Sequence, residues 1–290
     1  MGKTALSLDI AEQFSSPILN ADSRQLYRDI PIGTAAPTAE EQRRVKHYFV
    51  GTLGLDDYYS AAQYETEALA LAERLFANQD VLVMTGGSML YIDAMCQGID
   101  DIPTIREDIR EWMRGRLATE GLPALAEELS RLDPEYFEKC DRQNPKRVVH
   151  ALEICHQTGL PYSTFRVGVV KQRPFNVLKI GLRRERIELF DRINARVDQM
   201  MAQGLLEEAE RVVAHRNSNA LNTVGYKELF NYLDGNWTLD FALEKIRRNT
   251  RVYAKKQMTW FNKDTATAWF HPDDVDGIRY FMKSKLESLR

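Results

Sequence analysis

The sequence predicts an α/β protein: a parallel sheet core with an all-helical insertion partway along the chain. Three observations carry that prediction. Short apolar runs alternate with helical stretches over about the first hundred residues, an order that sets strands side by side and parallel. From about Asp101 amphipathic helices follow one another with no strand between them. A strand-like run then returns at Val177–Leu182, with further helices behind it. The expected division is a core of residues 1–100 and 175–290 around an insertion of residues 101–174.

Residues 3–14 place Ala5, Leu8 and Ala11 at helical spacing, and Pro17 breaks the chain before the apolar pair Ile18-Leu19, which ends at Asn20-Ala21-Asp22-Ser23. This reads as helix, then strand. Val45–Val50 and Val81–Thr85 are two more β-rich runs, separated by the helical stretch Ala61–Ala77. The second ends at Gly86-Gly87, ahead of an apolar helix Met89–Met95. Within the insertion, Arg106–Thr119, Leu122–Leu132 and Asn144–Thr158 read as helices. After Val177–Leu182 the helices fall at about 187–203, 205–215, 226–233 and 239–261.

The chain has 290 residues, 44% hydrophobic and 28% charged, a balance that excludes a fibre or a disordered tail. Its net charge of −3 supplies no global field for a polyanion, so any nucleic-acid contact must rest on local basic patches. Cys96, Cys140 and Cys155 form no C-x-x-C pair, which points away from a zinc site and toward a reducing cytoplasm. No apolar run approaches the roughly 18 residues of a membrane helix, and the start lacks a secretory apolar stretch. The expectation is a cytoplasmic protein, monomeric and free of membrane contact.

Four signals carry chemistry. Gly2-Lys3-Thr4 opens a helix and matches the tail of G-x-x-x-x-G-K-[ST], the phosphate loop of ATP-binding and other nucleotide-binding proteins. There backbone N–H groups cradle phosphates, the lysine neutralises one and the threonine holds Mg2+. Asp22 stands at the carboxyl end of a strand, where open α/β sheets bind ligands. It could accept a proton or merely cap the next segment, and its neighbours Ser23, Arg24 and Gln25 suit base edges and phosphates. Thr85-Gly86-Gly87-Ser88 permits close backbone approach to a ligand, and Ser88 can also cap the helix that follows. Finally, Lys245–Lys263 holds seven Lys or Arg and no acidic residue, with Tyr253, Trp260 and Phe261 among them. Arg248, Arg251 and Lys255 share one helical face, and basic residues interleaved with aromatics suit RNA. Lys146-Arg147 with His150 forms a smaller cluster on an insertion helix.

Taken in order, these motifs resemble bacterial tRNA dimethylallyltransferases, also called tRNA isopentenyltransferases. The resemblance runs through Gly-Lys-Thr, Asp22-Ser23-Arg24-Gln25-Leu26-Tyr27, Ile32-Gly33-Thr34-Ala35 with Pro37, and Gly86-Gly87-Ser88-Met89-Leu90-Tyr91. It continues through Asn144-Pro145-Lys146-Arg147 with Ala151-Leu152-Glu153, Val224-Gly225-Tyr226-Lys227-Glu228, and Thr250-Arg251 through Lys256-Gln257 to Trp260-Phe261. It implies a P-loop NTPase-like parallel sheet core whose all-helical insertion domain grips the tRNA anticodon stem-loop. Asp22 would be the general base and Ser88 would contact the same adenine, so both are catalytic candidates. Gly2, Lys3 and Thr4 would bind the diphosphate of dimethylallyl diphosphate, with Thr4 on the cofactor Mg2+. The tRNA would be held by Asp22, Ser23, Arg24, Gln25, Ser88, Arg110, Lys146, Arg147, His150, Gly225, Tyr226, Lys227, Arg248, Arg251 and Lys255. The family's Q-R-x-x-R motif appears as Lys146-Arg147-Val148-Val149-His150, which weakens its last contact, and Ala36 stands where many members have lysine. The product implied is N6-(dimethylallyl)adenosine at adenine 37.

Three rivals remain at this stage: a prenyltransferase acting on free adenine nucleotides, a P-loop kinase or NTPase, and an RNA-binding protein without catalysis. One more expectation concerns Gly2-Lys3-Thr4, before which the first strand and the start of the phosphate loop are absent. It holds that the native protein begins roughly ten to fifteen residues upstream, and that the lost strand leaves Ile18-Leu19 and Val81–Val83 with exposed edges.

Overall fold

The structure, a computed structural model, describes residues 2–168 and 170–288; Met1 lies outside them. It divides into two compact units, one of Met1–Cys96 with Arg173–Arg290 and one of Gln97–Gln172.

In the first unit, β1 (Ile18–Ala21) is an apolar run buried along its whole length, as strands of a doubly covered parallel sheet are. It pairs in parallel with β2 (His47–Tyr48) on one side and β3 (Val83–Gly86) on the other. Ile18-Leu19 is therefore an interior pair, not an exposed edge, and both residues are buried. β2 and β3, whose residues are half-buried, take the outer places. The strand expected over Val45–Val50 shortens to two residues because Phe49 turns to φ 62, a left-handed conformation that ends the pairing. β4 (Ile180–Leu182) and β5 (Ala268–Phe270) form a second parallel pair. Gly181 leaves room there for the Trp269 ring, which a side chain would meet at 2.5 Å.

The helices follow the expected order. α1 (Lys3–Gln13) buries Leu6, Leu8 and Ala11. Two short helices, α2 (Pro31–Thr34) and α3 (Ala39–Arg44), precede α4 (Ala61–Phe76), which opens on a Ser60–Gln63 capping box. α5 (Met89–Gln97) follows β3. The core gathers Leu19, Ala21, Tyr64, Tyr91, Leu229 and Ile246, with the Tyr64 and Tyr91 rings stacked at 4.3 Å.

The second unit is all-helical. α6 (Glu107–Leu132) is broken at Gly121 (φ 80, ψ 168), so the two helices expected on either side are distinct segments. α7 (Pro134–Lys139) and α8 (Pro145–Thr158) complete it, and Met113, Leu125, Leu129, Val148 and Leu152 form its own core. Asp133 is buried because it caps α7 through the Tyr136 N–H at 2.9 Å and also accepts from the Ser163 N–H and hydroxyl.

The chain then runs through α9 (Arg186–Ala202), α10 (Leu205–Val212), α11 (Tyr226–Leu233), α12 (Leu239–Phe261) and α13 (Val275–Ser288). Among the described residues no helix is long and apolar enough to cross a membrane.

Candidate active site

The carboxyl ends of β1 and β3 and the start of α1 converge on one cleft, the place where open α/β sheets take ligands. Gly2 caps α1 at φ 87, Lys3 and Thr4 form its first turn, and Thr4 is exposed. The Lys3 ammonium donates to the Gly86 carbonyl at 3.2 Å. Desolvation lowers the Lys3 pKa, while the charge of Asp22 raises it and that of Arg196 lowers it. Arg196, on α9, feels the charge of Asp22 as well: desolvation lowers its pKa, with Asp22 opposing.

Asp22 leaves β1 and turns the chain by accepting the Arg24 N–H at 2.9 Å, the Asx-turn geometry its residue type favours. Ser23 donates its N–H to the Ser88 hydroxyl at 2.8 Å, and Ser88 donates in turn to the Ser23 hydroxyl at 3.0 Å. The Ser88 hydroxyl thus ties the Asp22 turn to the end of β3. The Arg24 guanidinium donates to the Asn219 carbonyl at 2.6 Å, and the Gln25 amide to the carbonyls of Thr34 and Ala35 at 3.0 and 2.9 Å. The Gln25 nitrogen therefore serves the protein itself.

The two glycines of Thr85-Gly86-Gly87-Ser88 have different reasons. A side chain at Gly86 would press on the backbone of Ala21 across the sheet, and one at Gly87 would meet Gln257 and Lys3. Gln257, on α12, donates to the Gly87 carbonyl at 2.7 Å, with the Tyr253 hydroxyl at 3.5 Å from the same oxygen. Desolvation, and then the charge of Asp22, push the Tyr253 pKa up.

The site residues expected from sequence separate into groups. Gly2, Lys3, Thr4, Asp22, Ser23, Arg24, Gln25 and Ser88 come together around this cleft. Tyr226 does not present itself to a ligand: it is fully buried, donating its hydroxyl to Glu208, and Gly225 beside it is buried as well. Of that motif only Lys227 is exposed. Arg248 and Lys255 are exposed on α12, but Arg251 turns toward α9, donating to the Asn194 side chain at 2.6 Å and lying 4.9 Å from the Phe190 ring. Shared helical spacing set these three on one face; packing withdrew the middle one.

In the helical unit Lys146 and Arg147 are exposed, while Arg110 is half-buried with its Nε donating to the Ile105 carbonyl at 3.3 Å. His150 lies 3.5 Å from the Glu153 carboxylate and edge-on to the Tyr162 ring. Sequence reasoning missed Arg196 and Gln257 as site residues. The i, i+4 pair Arg192 and Arg196 was the available signal for the first.

Among the described residues the one carboxylate and histidine group with metal-ligand spacing is Glu188, His271 and Asp273. The Arg184 guanidinium lies among them, bonded to Glu188 and, at 3.0 Å, to Asp273. A cation already occupies that cluster, so it is an ion-pair network. The one carboxylate among the site residues gathered here is Asp22, and the hydroxyls of Ser23 and Ser88 are already bonded to each other, which leaves too few oxygen donors for an all-protein cage. A Mg2+ ion, which keeps phosphate and water ligands, needs only one or two from protein, and Thr4 and Asp22 are the residues that could supply them.

Over residues 25–264 the sequence matches the family model described as IPP transferase. This chain belongs to the IPP transferase family. It is 58% identical over 287 residues to tRNA dimethylallyltransferase 1 of Bacteroides fragilis, covering 99% of this chain and 95% of that one. With tRNA dimethylallyltransferase 2 of Parabacteroides distasonis the identity is 59% over 278 residues, covering 96% and 93%. The fold is similar to the crystal structure of the tRNA isopentenylpyrophosphate transferase of Bacillus halodurans, with TM-score 0.71, 34% identity, and 99% and 93% of the two chains covered. A eukaryotic dimethylallyltransferase described as acting on tRNA shares the fold at TM-score 0.76 and 23% identity, over 93% of this chain and 71% of that one. The ordered motifs and the fold thus lead to the same family.

Proposed function

We propose that this IPP transferase moves the dimethylallyl group of dimethylallyl diphosphate to N6 of adenine 37 in tRNA, giving N6-(dimethylallyl)adenosine. The observation that carries the reading is the joining of three segments at the strand ends: the Lys3 ammonium donates to the Gly86 carbonyl, and the Ser88 hydroxyl holds the Asp22 turn to the end of β3.

The adenine N6 lone pair is delocalised into the ring and attacks weakly, so reactivity must come from the allylic carbon and its diphosphate leaving group. As the new C–N bond forms, the allylic C–O bond breaks and negative charge grows on the diphosphate. Lys3, Arg196 and the N–H groups at the start of α1 meet that charge without reorganising. Mg2+, held by the donor phosphates with Thr4, would add Lewis-acid stabilisation there. N6 sheds one proton, and Asp22 receives it. The target base must leave its stack to reach the cleft.

The RNA-facing candidates are Ser23, Ser88, Lys227, Arg248 and Lys255 in the core unit, and Arg110, Lys146, Arg147 and His150 in the helical unit. A cytoplasmic, monomeric enzyme fits the same reading. Its test is mass spectrometry of nucleosides from tRNA incubated with the protein, Mg2+ and dimethylallyl diphosphate. The dimethylallyl nucleoside is expected, and its absence, or its appearance only with free adenine nucleotides as acceptor, overturns the proposal.

A further inference from the structure

Glu208, on α10, has no part in the chemistry above, yet it is fully buried. Its carboxylate accepts the N–H of Ile32 at 2.9 Å and of Gly33 at 2.8 Å, and the Tyr226 hydroxyl at 2.5 Å. Burial first, and the charge of Glu208 second, push the Tyr226 pKa up, so that hydroxyl stays a proton donor. A buried carboxylate is tolerated only when it is hydrogen-bonded, and here three donors serve it. The Tyr226 ring also explains Gly33, where a side chain would lie within 2.8 Å of ring atoms.

The two N–H groups belong to the opening of α2. Its other end carries the carbonyls of Thr34 and Ala35, which accept the Gln25 amide. Ala35 is held at φ 47, a left-handed conformation that a residue with a side chain rarely adopts. The surroundings must impose it, and Gln25 and Glu208 grip the segment from opposite ends. Gln25 lies three residues after Asp22 in the same turn, which Ser88 anchors at Ser23.

We propose that Glu208 is a positioning residue for prenyl transfer. Acting through α2 and the Gln25 amide, it sets where the Asp22 turn stands relative to Lys3 and Arg196. The proposal rests on the assignment of Asp22 to the reaction and assigns Gln25 to the same support.

The test is a double-mutant cycle of Gln25→Ala and Glu208→Gln, read as kcat at saturating donor, tRNA affinity and melting temperature, with turnover measured well below each melting point. A full ångström of misplacement costs about 10²-fold, so a smaller drift predicts a loss of about tenfold in kcat for each single variant. The double variant is expected to lose no more than the worse single, because both cut one chain of contacts. Affinity for tRNA should stay within about twofold of the parent. Where Glu208→Gln does not fold, Tyr226→Phe replaces it, removing one donor and leaving the carboxylate.

Losses that multiply to about 100-fold overturn the proposal, since independent sites add in free energy. So does a Glu208 variant that lowers only the melting temperature, or a Gln25→Ala variant whose loss lies in tRNA affinity. Failure of the underlying reading shows separately, as normal turnover in Asp22→Asn.

Discussion

The paired glycines at the end of β3 should answer alanine substitution in opposite ways. At Gly86 a new Cβ would stand 2.7 Å from the Ala21 Cα and nearer still to its carbonyl group, whereas ordinary contact begins at 3.4 Å. The nearest atom, the Ala21 carbonyl oxygen at 2.1 Å, sets the shift, so β1 would have to retreat by about 1.3 Å to restore ordinary contact at 3.4 Å. That retreat stretches the Ser88 N–H bond to the Ala21 carbonyl, now 3.1 Å, and the parallel pairing of Asn20 with Thr85. One or two buried backbone hydrogen bonds lost at about 1–3 kcal/mol each, with overpacking of about 1–3 kcal/mol, give about 2–9 kcal/mol. A domain with about 5–15 kcal/mol of total stability cannot spare much of that.

At Gly87 the new Cβ would meet the Gln257 amide at 2.5 Å and the Lys3 ammonium at 3.2 Å. Both are ends of flexible side chains and can move aside at small cost in stability. They are also site groups, so Gly87→Ala should keep its melting temperature within a few degrees and lose donor affinity and turnover. Thermal denaturation of both variants, with dimethylallyl transfer assayed on whichever stays folded, checks the pair. A Gly86→Ala protein as stable as the parent would refute the reasoning, as would a Gly87→Ala protein of normal activity.

Asp22→Asn retains an oxygen to accept the Arg24 N–H, so folding and tRNA binding should survive while turnover falls by about 10²-fold or more; single-turnover transfer measures it. Lys3 is held below the usual lysine pKa by burial, so between its lowered value and about 10.4 the folded state binds fewer protons than the unfolded one, and stability rises with pH across that window. Below the window the burial cost is fully present. Lys3→Met should therefore melt higher at neutral pH, lose that alkaline rise and bind donor weakly; melting curves over a pH series decide, and an unchanged rise would exclude Lys3 as its source. Replacing Arg248 and Lys255 together should lower the salt slope of tRNA binding by about two. Adding Arg251 should lower stability and leave the slope there, and a further drop of one would mean that Arg251 reaches phosphate.

Local chemistry in the sequence was enough to expose the outline of this protein. Helical spacing, short apolar runs and the Pro17 break are set by neighbours along the chain, so most of the longer helices, β1 and the all-helical stretch could be read directly, whereas the short α2, α3 and α7 and the closing α13 were not. Family membership was legible for the same reason, because Gly-Lys-Thr, Asp22 to Gln25 and Gly86 to Ser88 are contiguous segments. What the sequence by itself determined, then, was element order, the family and the chemical types gathered at the strand ends. The tertiary structure alone decided which members of each motif are free to act. Tyr226 and Gly225 read like Lys227 in the sequence, yet packing buried the first two against α2. Arg251 shares its helical spacing with Arg248 and Lys255, yet α9 draws it inward. Gln257 comes to the end of β3 only because α12 packs there, and Glu208 holds N–H groups some 175 residues away. Those outcomes depend on contacts between segments distant in sequence, and helical or strand periodicity carries no information about which distant segment a face will meet.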